Sequence, residues 1–203
     1  MAYFPFYIDI KDKKFLVVGG GKVALRKVEK LLPFEPKITV VAPFICDEIR
    51  KLGVSIIERK FIDNDIDNIF CAISATDDEV VNGHIFKLCN EKNILVNTVD
   101  DKDKCGFIFP ALVNKNGITA GITSSGKSPI YAKYIRERLE NLLDGNADIT
   151  ETLFKYRKRI KSEIKNEADR KIVFERLLAL CLSRDEIDDN LVSKLIEEAN
   201  NEN

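Results

Sequence analysis

Along the first hundred residues, short apolar runs alternate with stretches in which apolar side chains recur every third or fourth position. KFLVVGGG (14–21) is a continuous apolar run with lysine before it and glycine after it, the pattern of a strand buried on both faces. The next stretch, KVALRKVEKLLPF, places Val23, Leu25, Val28, Leu31 and Leu32 near a period of 3.6 and predicts a helix opened by the glycines. The alternation continues with a strand at 37–43 (KITVVAP), a short helix at 44–52 and strands at 54–61 and 68–76. A helix over VVNGHIFKLCNEKN and a fifth strand at 94–100 (ILVNTVD) complete it. Strands and helices in this order predict an α/β fold, a Rossmann-like doubly wound parallel sheet with right-handed crossovers.

From residue 107 the pattern changes. FIFPALVNKNGITAGIT holds two strand-like runs around a turn at Asn114 to Gly117 and predicts a hairpin. The remainder reads as helix. Ser128 and Pro129 supply an N-cap and a first-turn proline for a helix whose apolar face is Ile130, Tyr134, Ile135, Leu139, Leu142 and Leu143, with Gly145 to close it. Asp148 with Glu151 forms a capping box for a second helix, ADRKIVFERLLALCL is a third, and Ser183 with Glu186 caps a fourth. The expected division is a dinucleotide-binding domain at 1–112, a small hairpin and helix region at 113–147, and a helical domain at 148–203.

Composition narrows the function classes by exclusion. The chain has 32 basic and 33 acidic residues, a formal charge of -1, which argues against nucleic acid or a membrane surface as partner. No apolar stretch approaches about 18 residues, and MAYFPFYIDIKDKKF carries neither a basic region nor a cleavage signal. Five scattered cysteines without a C-x-x-C pair point to reduced thiols and a cytoplasmic protein. His84 is the single histidine and has no ligand-spaced partner, so no built-in metal site is expected.

Two glycine clusters compete for a phosphate. GITSSGKS (121–128) fits the G-x-x-x-x-G-K-[ST] pattern of phosphate loops, but no strand is predicted after it to carry a magnesium-binding aspartate. Gly19-x-Gly21-x-x-Ala24 follows the first strand and opens the first helix, the context a dinucleotide-binding turn needs. Gly19 permits the tight turn, Gly21 lets backbone approach a pyrophosphate, and Ala24 allows close packing of helix on strand. Helix N-terminal amides favour the anion, and Lys22 stands beside them, either on phosphate or in solvent. Where an acidic residue usually binds the adenosine ribose, after the second strand, stands Pro43, so the residues leave NAD and NADP both open.

The stretches FPFYIDIKDKKFLVVGGGKVALRKVEKLL, TVVAP, CAISATDD, VNTVDDKDKCGFIFPA and GITSSGKSPIYAKYIRERLE together, and in this order, resemble the precorrin-2 dehydrogenase family. That family includes stand-alone enzymes and the N-terminal module of multifunctional sirohaem synthases. The resemblance covers about residues 4 to 145; the remainder is similar only in being helical. It implies NAD-dependent oxidation of precorrin-2 to sirohydrochlorin, followed in some members by ferrous-iron insertion to give sirohaem, and a homodimer whose hairpin and helices near 113–145 interlock.

The same resemblance implies roles for individual residues. The family's catalytic aspartate, in its V-N-x-V-D stretch, matches Asp100, placed to accept the proton that accompanies hydride removal. Asp101 adjoins it, as a substitute or as a turn cap. Gly19, Gly21, Lys22, Val23, Pro43 and Phe44 match the cofactor contacts, and Thr76 lines the nicotinamide side or caps the next helix. Ser124, matching a serine phosphorylated in some members, and Lys127 lie on the stretch beside the tetrapyrrole. Lys102, Lys104, Lys133 and Arg136 are further cations for a substrate rich in carboxylates. Cys105 reads as an inert thiol near Asp100. The competing reading is a non-catalytic NAD-binding module that senses redox state, for which a carboxylate at Asp100 has no use.

Overall fold

A computed structural model of the protein describes residues 3–99, 101–144, 149–183 and 186–201, without the side chain of Lys102. The chain divides into a unit from Phe4 to Phe109 and a second unit that comprises Tyr3 and the chain from Pro110 onward.

In the first unit, β1 (Lys14–Val18), β2 (Lys37–Val41), β3 (Ser55–Ile57), β4 (Cys71–Ser74) and β5 (Leu95–Thr98) form a parallel sheet of order β3-β2-β1-β4-β5. β1, central and apolar at four of its five positions, is buried on both faces. Phe15 and Val17 pack with Ala24, Val28 and Leu31 of α1 (Lys22–Leu31) and Ile49 of α2 (Asp47–Arg50). Leu16 and Val18 face the other way, onto Ile85 and Cys89 of α3 (Glu79–Glu91) and onto Ile66. Alternation along one strand thus builds two cores, the doubly wound arrangement expected.

β3 is shorter than the predicted 54–61. It is an edge strand whose continuation turns away, because Glu58 takes a bidentate contact from Arg50 at 2.6 and 2.9 Å and Arg59 reaches Asp65. Asp65 opens no helix; it sits in a 3-10 turn, Asp63–Ile66, with its carboxylate 7% exposed and accepting from Arg59 and from the Ile62 amide. The Arg59 guanidinium, with the Ile62 amide, holds the Asp65 carboxyl below its ordinary range against the opposing effect of burial. A depressed folded pKa stabilises above the unfolded value, about 3.9, and that contribution disappears as pH falls through the folded one. Asp65→Asn is therefore expected to melt below wild type at neutral pH, with the two curves converging below about pH 4; melting curves that stay parallel through that range would refute the assignment.

The second unit begins with a hairpin of β6 (Ala111–Lys115) and β7 (Ile118–Ile122), joined by Asn116 and Gly117 with φ of 51° and 74°. Two residues with positive φ make the tight primed turn that matches strand twist. The turn packs on Thr150, whose hydroxyl donates to Asn116 O at 3.1 Å. α4 (Pro129–Leu143) starts as predicted, with Ser128 Oγ accepting the Tyr131 amide. Its apolar face is largely open, with Ile130, Tyr131 and Leu142 exposed.

α5 (Ile149–Glu163), α6 (Glu167–Ser183) and α7 (Asp189–Asn201) share a core of Tyr156, Ile160, Val173, Leu177, Val192 and Ile196. The expected Ser183 cap is corrected: Ser183 ends α6, donating to Leu180 O, and Asp188 Oδ1 accepts the Leu191 amide at the start of α7. Apolar residues run on to Leu182, which extends α6 through the serine. Gly145 and Asp148 lie outside the described residues.

Candidate functional site

The glycine turn after β1 has three different backbone demands. Gly19 has φ of 125°, and a Cβ there would stand 2.2 Å from Ala75 O at the end of β4. Gly20 has no room either. A Cβ would come 1.9 Å from Phe44 O, because the chain leaving β2 crosses directly over it and the Cys46 amide donates to Gly20 O at 2.9 Å. Gly21 is the opposite case: nothing lies within 4 Å of a Cβ built on it. It is the N-cap of α1 and makes no side-chain cap, so the first-turn amides at Lys22 and Val23 face the open space in front of Gly21.

This is the arrangement a pyrophosphate fits: two glycines compressed to form the turn, a third left open, and an uncapped helix N-terminus behind it. Lys22 and Val23 are exposed on that rim. Pro43 and Phe44 are exposed beside it, Phe44 by 73%, on the connection that Gly20 supports.

Thr76, after β4, has its hydroxyl drawn inward. Ser74 Oγ and Thr76 Oγ1 both donate to Asn82 Oδ1, at 2.6 and 2.7 Å, and Asn82 Nδ2 returns a bond to Thr76 O. The cap of α3 is Asp78, whose Oδ1 accepts from the amides of Val80 and Val81. Next to Ser74 across the sheet, Thr98 is buried with an Oγ1 that has no hydrogen-bond partner among the described residues.

Asp100 lies outside the described residues; its neighbours define the surroundings. Val99 donates its amide to Ser74 O and shares a cleft of ≈ 630 Å³ with Val23, Arg26, Lys27, Glu29 and Lys30 of α1. Val23, in the first turn of α1 just after the glycines, and the residue preceding Asp100 therefore border one cleft, which continues along α1 to Lys30; its Val23 end lies at the carboxyl edge of the sheet, where open α/β folds bind ligands. A second hollow of ≈ 610 Å³ runs over β1, β2 and β3, from Lys14, Lys37 and Ser55 to Val41 and Ile57, and includes no residue of the glycine turn.

Asp101 caps a 3-10 turn, Lys102–Lys104, through the Asp103 amide, and its Oδ2 pairs with Lys104 at 2.7 Å. The Lys104 ammonium holds the Asp101 carboxyl below its ordinary range, and the pair commits Lys104 as well. Cys105 is half-buried, and burial raises its thiol above the usual range, the inert state expected.

Ser124 and Lys127 belong to the second unit. Ser124 Oγ accepts the Ser128 amide at 2.9 Å and Ser124 O accepts the Lys127 amide at 3.0 Å, folding 124–128 into the turn that caps α4. Among the described residues no strand follows this turn, so the phosphate-loop pattern lacks the strand that would carry a metal-binding aspartate. Lys133 and Arg136 are engaged along α4, with Glu137 and Glu140.

Sequence reasoning passed over Gly20, Asn82 and Asn97. Asn97 had a legible signal, an amide inside the apolar run ILVNTVD, since a buried amide must find partners.

A family model described as "Putative NAD(P)-binding" matches residues 6–111. Over 180 residues, 86% of this chain, the sequence is 41% identical to a siroheme synthase of Pseudoalteromonas translucida; over 182 residues it is 36% identical to a siroheme synthase of Buchnera aphidicola. The chain spans 38% of the length of each of these curated relatives. Among solved structures, "SirC, precorrin-2 dehydrogenase" superposes with a TM-score of 0.73 over 98% of this chain and 100% of that one at 24% identity, a likeness of fold.

Proposed function

We propose that this chain, which belongs to the NAD(P)-binding family matched over residues 6–111, oxidises precorrin-2 to sirohydrochlorin with NAD. The observation that carries the reading is the cleft shared by Val23, in the first turn of the helix that the glycines open, and Val99, the residue before Asp100. Siroheme synthase relatives along 86% of the chain support the substrate. Gly21 and the first-turn amides of α1 hold the pyrophosphate, Lys22 adds a cation, and Pro43 and Phe44 offer an uncharged surface to the adenosine. Thr76 borders the nicotinamide side.

When bound, the dinucleotide accepts a hydride. Two hydrogens leave precorrin-2, one as that hydride and the other as a proton, and Asp100 takes the proton. Ser124 and Lys127 contact the substrate, Lys127 through the carboxylates of the tetrapyrrole. Residues 113–147 form the dimerising and substrate-side region between a dinucleotide domain (1–112) and a helical domain (148–203). The exposed Ile130 and the exposed, stacked Tyr131 and Tyr134 at the start of α4 support that assignment, since large apolar side chains grouped on a surface mark an interface.

The test is direct. Purified protein mixed with enzymatically made precorrin-2 and NAD is expected to form NADH and the sirohydrochlorin spectrum in equal amounts. A parallel sample with ferrous iron reports sirohaem above the enzyme-free control if iron insertion belongs to the same protein. NADH binding without any turnover would refute the dehydrogenase and leave the redox-sensing module.

A further inference from the structure

Asn97 is 5% exposed at the penultimate position of β5, and its amide is used from both ends. Nδ2 donates to Phe107 O at 2.9 Å and to Cys105 Sγ at 3.4 Å, while Oδ1 accepts from Lys27 Nζ at 3.4 Å. Lys27 comes from α1 and also lies over the Phe109 ring, 4.1 Å from its centroid; the Phe109 and Phe107 rings pack at 5.4 Å. Backbone pairing reinforces the tie. Asn97 bridges antiparallel to Cys105, and the Gly106 amide donates to Val96 O at 2.8 Å. The Cys105 thiol lies 3.2 Å from Thr98 O and 3.1 Å from Asp101 O, an acceptor on either side.

One buried amide therefore joins three pieces of chain: α1, the exit of β5, and the segment that returns at Cys105. Between exit and return lies 99–104, the segment that carries Asp100 and Asp101. A loop whose ends are fixed side by side has fewer conformations than one anchored at a single end, and a carboxylate acting on a bound substrate needs that restriction. Aliphatic residues of similar size would fill the space in a merely packed strand; an amide with three partners orients as well as fills.

We propose that Asn97 is a positioning residue, which sets the base of segment 99–104 so that its carboxylate meets the substrate. The proposal rests on the dehydrogenase reading above. Its experiment has one readout that needs activity and one that does not, applied to the full chain. In Asn97→Ala, kcat is expected to fall about 10- to 100-fold with KM and NADH affinity nearly unchanged, and amide exchange to accelerate across 98–106 while β1 and β2 keep wild-type protection. Asn97→Asp retains the acceptor for Lys27 and loses both donations, and is expected to recover only part of kcat. Wild-type kcat in Asn97→Ala, or exchange that rises equally through the whole sheet, would overturn the proposal. Should Asn97→Ala not fold, Lys27→Met removes the Oδ1 contact together with the ammonium over the Phe109 ring; faster exchange confined to 98–106 with lowered kcat supports the assignment, and its absence overturns it. If wild type itself fails to oxidise precorrin-2, the dehydrogenase reading and the positioning role fail together. Local exchange in Asn97→Ala would then still establish the clamp as a feature of the fold, and uniform exchange would remove that as well.

Discussion

Gly20→Ala is expected to cost about 3 kcal/mol of stability or more, whereas Gly21→Ala, one residue later, is expected to fold normally and bind the dinucleotide more weakly. The difference lies in what each new methyl group would meet. At Gly20 it would stand 1.9 Å from Phe44 O and 2.8 Å from Ile45 Cα. Both are backbone atoms, so no side chain can rotate aside, and the Cys46–Gly20 hydrogen bond fixes that connection to the turn. Overpacking ordinarily costs 1–3 kcal/mol, and a clash of backbone with backbone belongs at or above the upper end, about 3 kcal/mol. A chain of this size has roughly 5–15 kcal/mol in total and loses about 2–4 °C of melting temperature per kcal/mol. A fall of roughly 6–12 °C or outright failure to fold follows.

At Gly21 the methyl group meets nothing within 4 Å, and the fold loses only the small preference for glycine over alanine at an N-cap. That open space is where the pyrophosphate approaches, so NADH affinity is expected to drop about 10- to 100-fold, roughly 1.4–2.7 kcal/mol. Thermal melts and NADH fluorescence titrations on the two variants separate the effects. Wild-type NADH affinity in Gly21→Ala would show that the pyrophosphate does not pass there, and a wild-type melt for Gly20→Ala would contradict the crossing of the β2 exit over the turn.

Asp100→Ala is expected to lower kcat for precorrin-2 oxidation by about 10²- to 10⁴-fold, the range a well-placed general base supplies. NADH affinity should stay within about threefold, because the dinucleotide turn lies on β1 and α1 and not on the segment after β5. The adjacent carboxylate is a poor substitute. Asp101 Oδ1 is occupied by the Asp103 amide and Oδ2 by Lys104, and that ammonium favours its ionised form. A carboxylate so stabilised is a weaker base. Asp101→Ala should therefore change kcat far less than Asp100→Ala. Steady-state NADH formation by both variants, with affinity measured separately, checks the ranking. Equal losses would mean that the two carboxylates act together, and wild-type turnover in Asp100→Ala would send the proton elsewhere.

The sheet was legible because its central strands, β1 and β4, are buried on both faces. Phe15–Val18 and Cys71–Ser74 are buried at every position, so no exposed residue interrupts those runs, and α/β alternation then leaves few topologies. The boundaries were less legible. Ser183 carried an N-cap's chemistry but ended α6, because apolar positions up to Leu182 kept the preceding helix going. The edge strand β3 stopped early for a reason sequence spacing does not expose, the capture of Glu58 by Arg50 and of Asp65 by Arg59.

Local order along the chain was enough to determine the strand–glycine–helix turn, the parallel alternation, the hairpin with its Asn-Gly turn and the cap of α4. Each depends on residues within a few positions of one another. Only the tertiary structure showed what crowds Gly19 and Gly20, atoms of Ala75 and Phe44, and gave Gly20 a part in the turn, while Gly21 faces open space. Only it joined Lys27 to Asn97, which are far apart in sequence and meet because the sheet places β1 beside β4 and β4 beside β5. Periodicity reports how often a side chain is buried; which distant partner it meets is set by strand order and packing, and no short stretch of sequence contains that information.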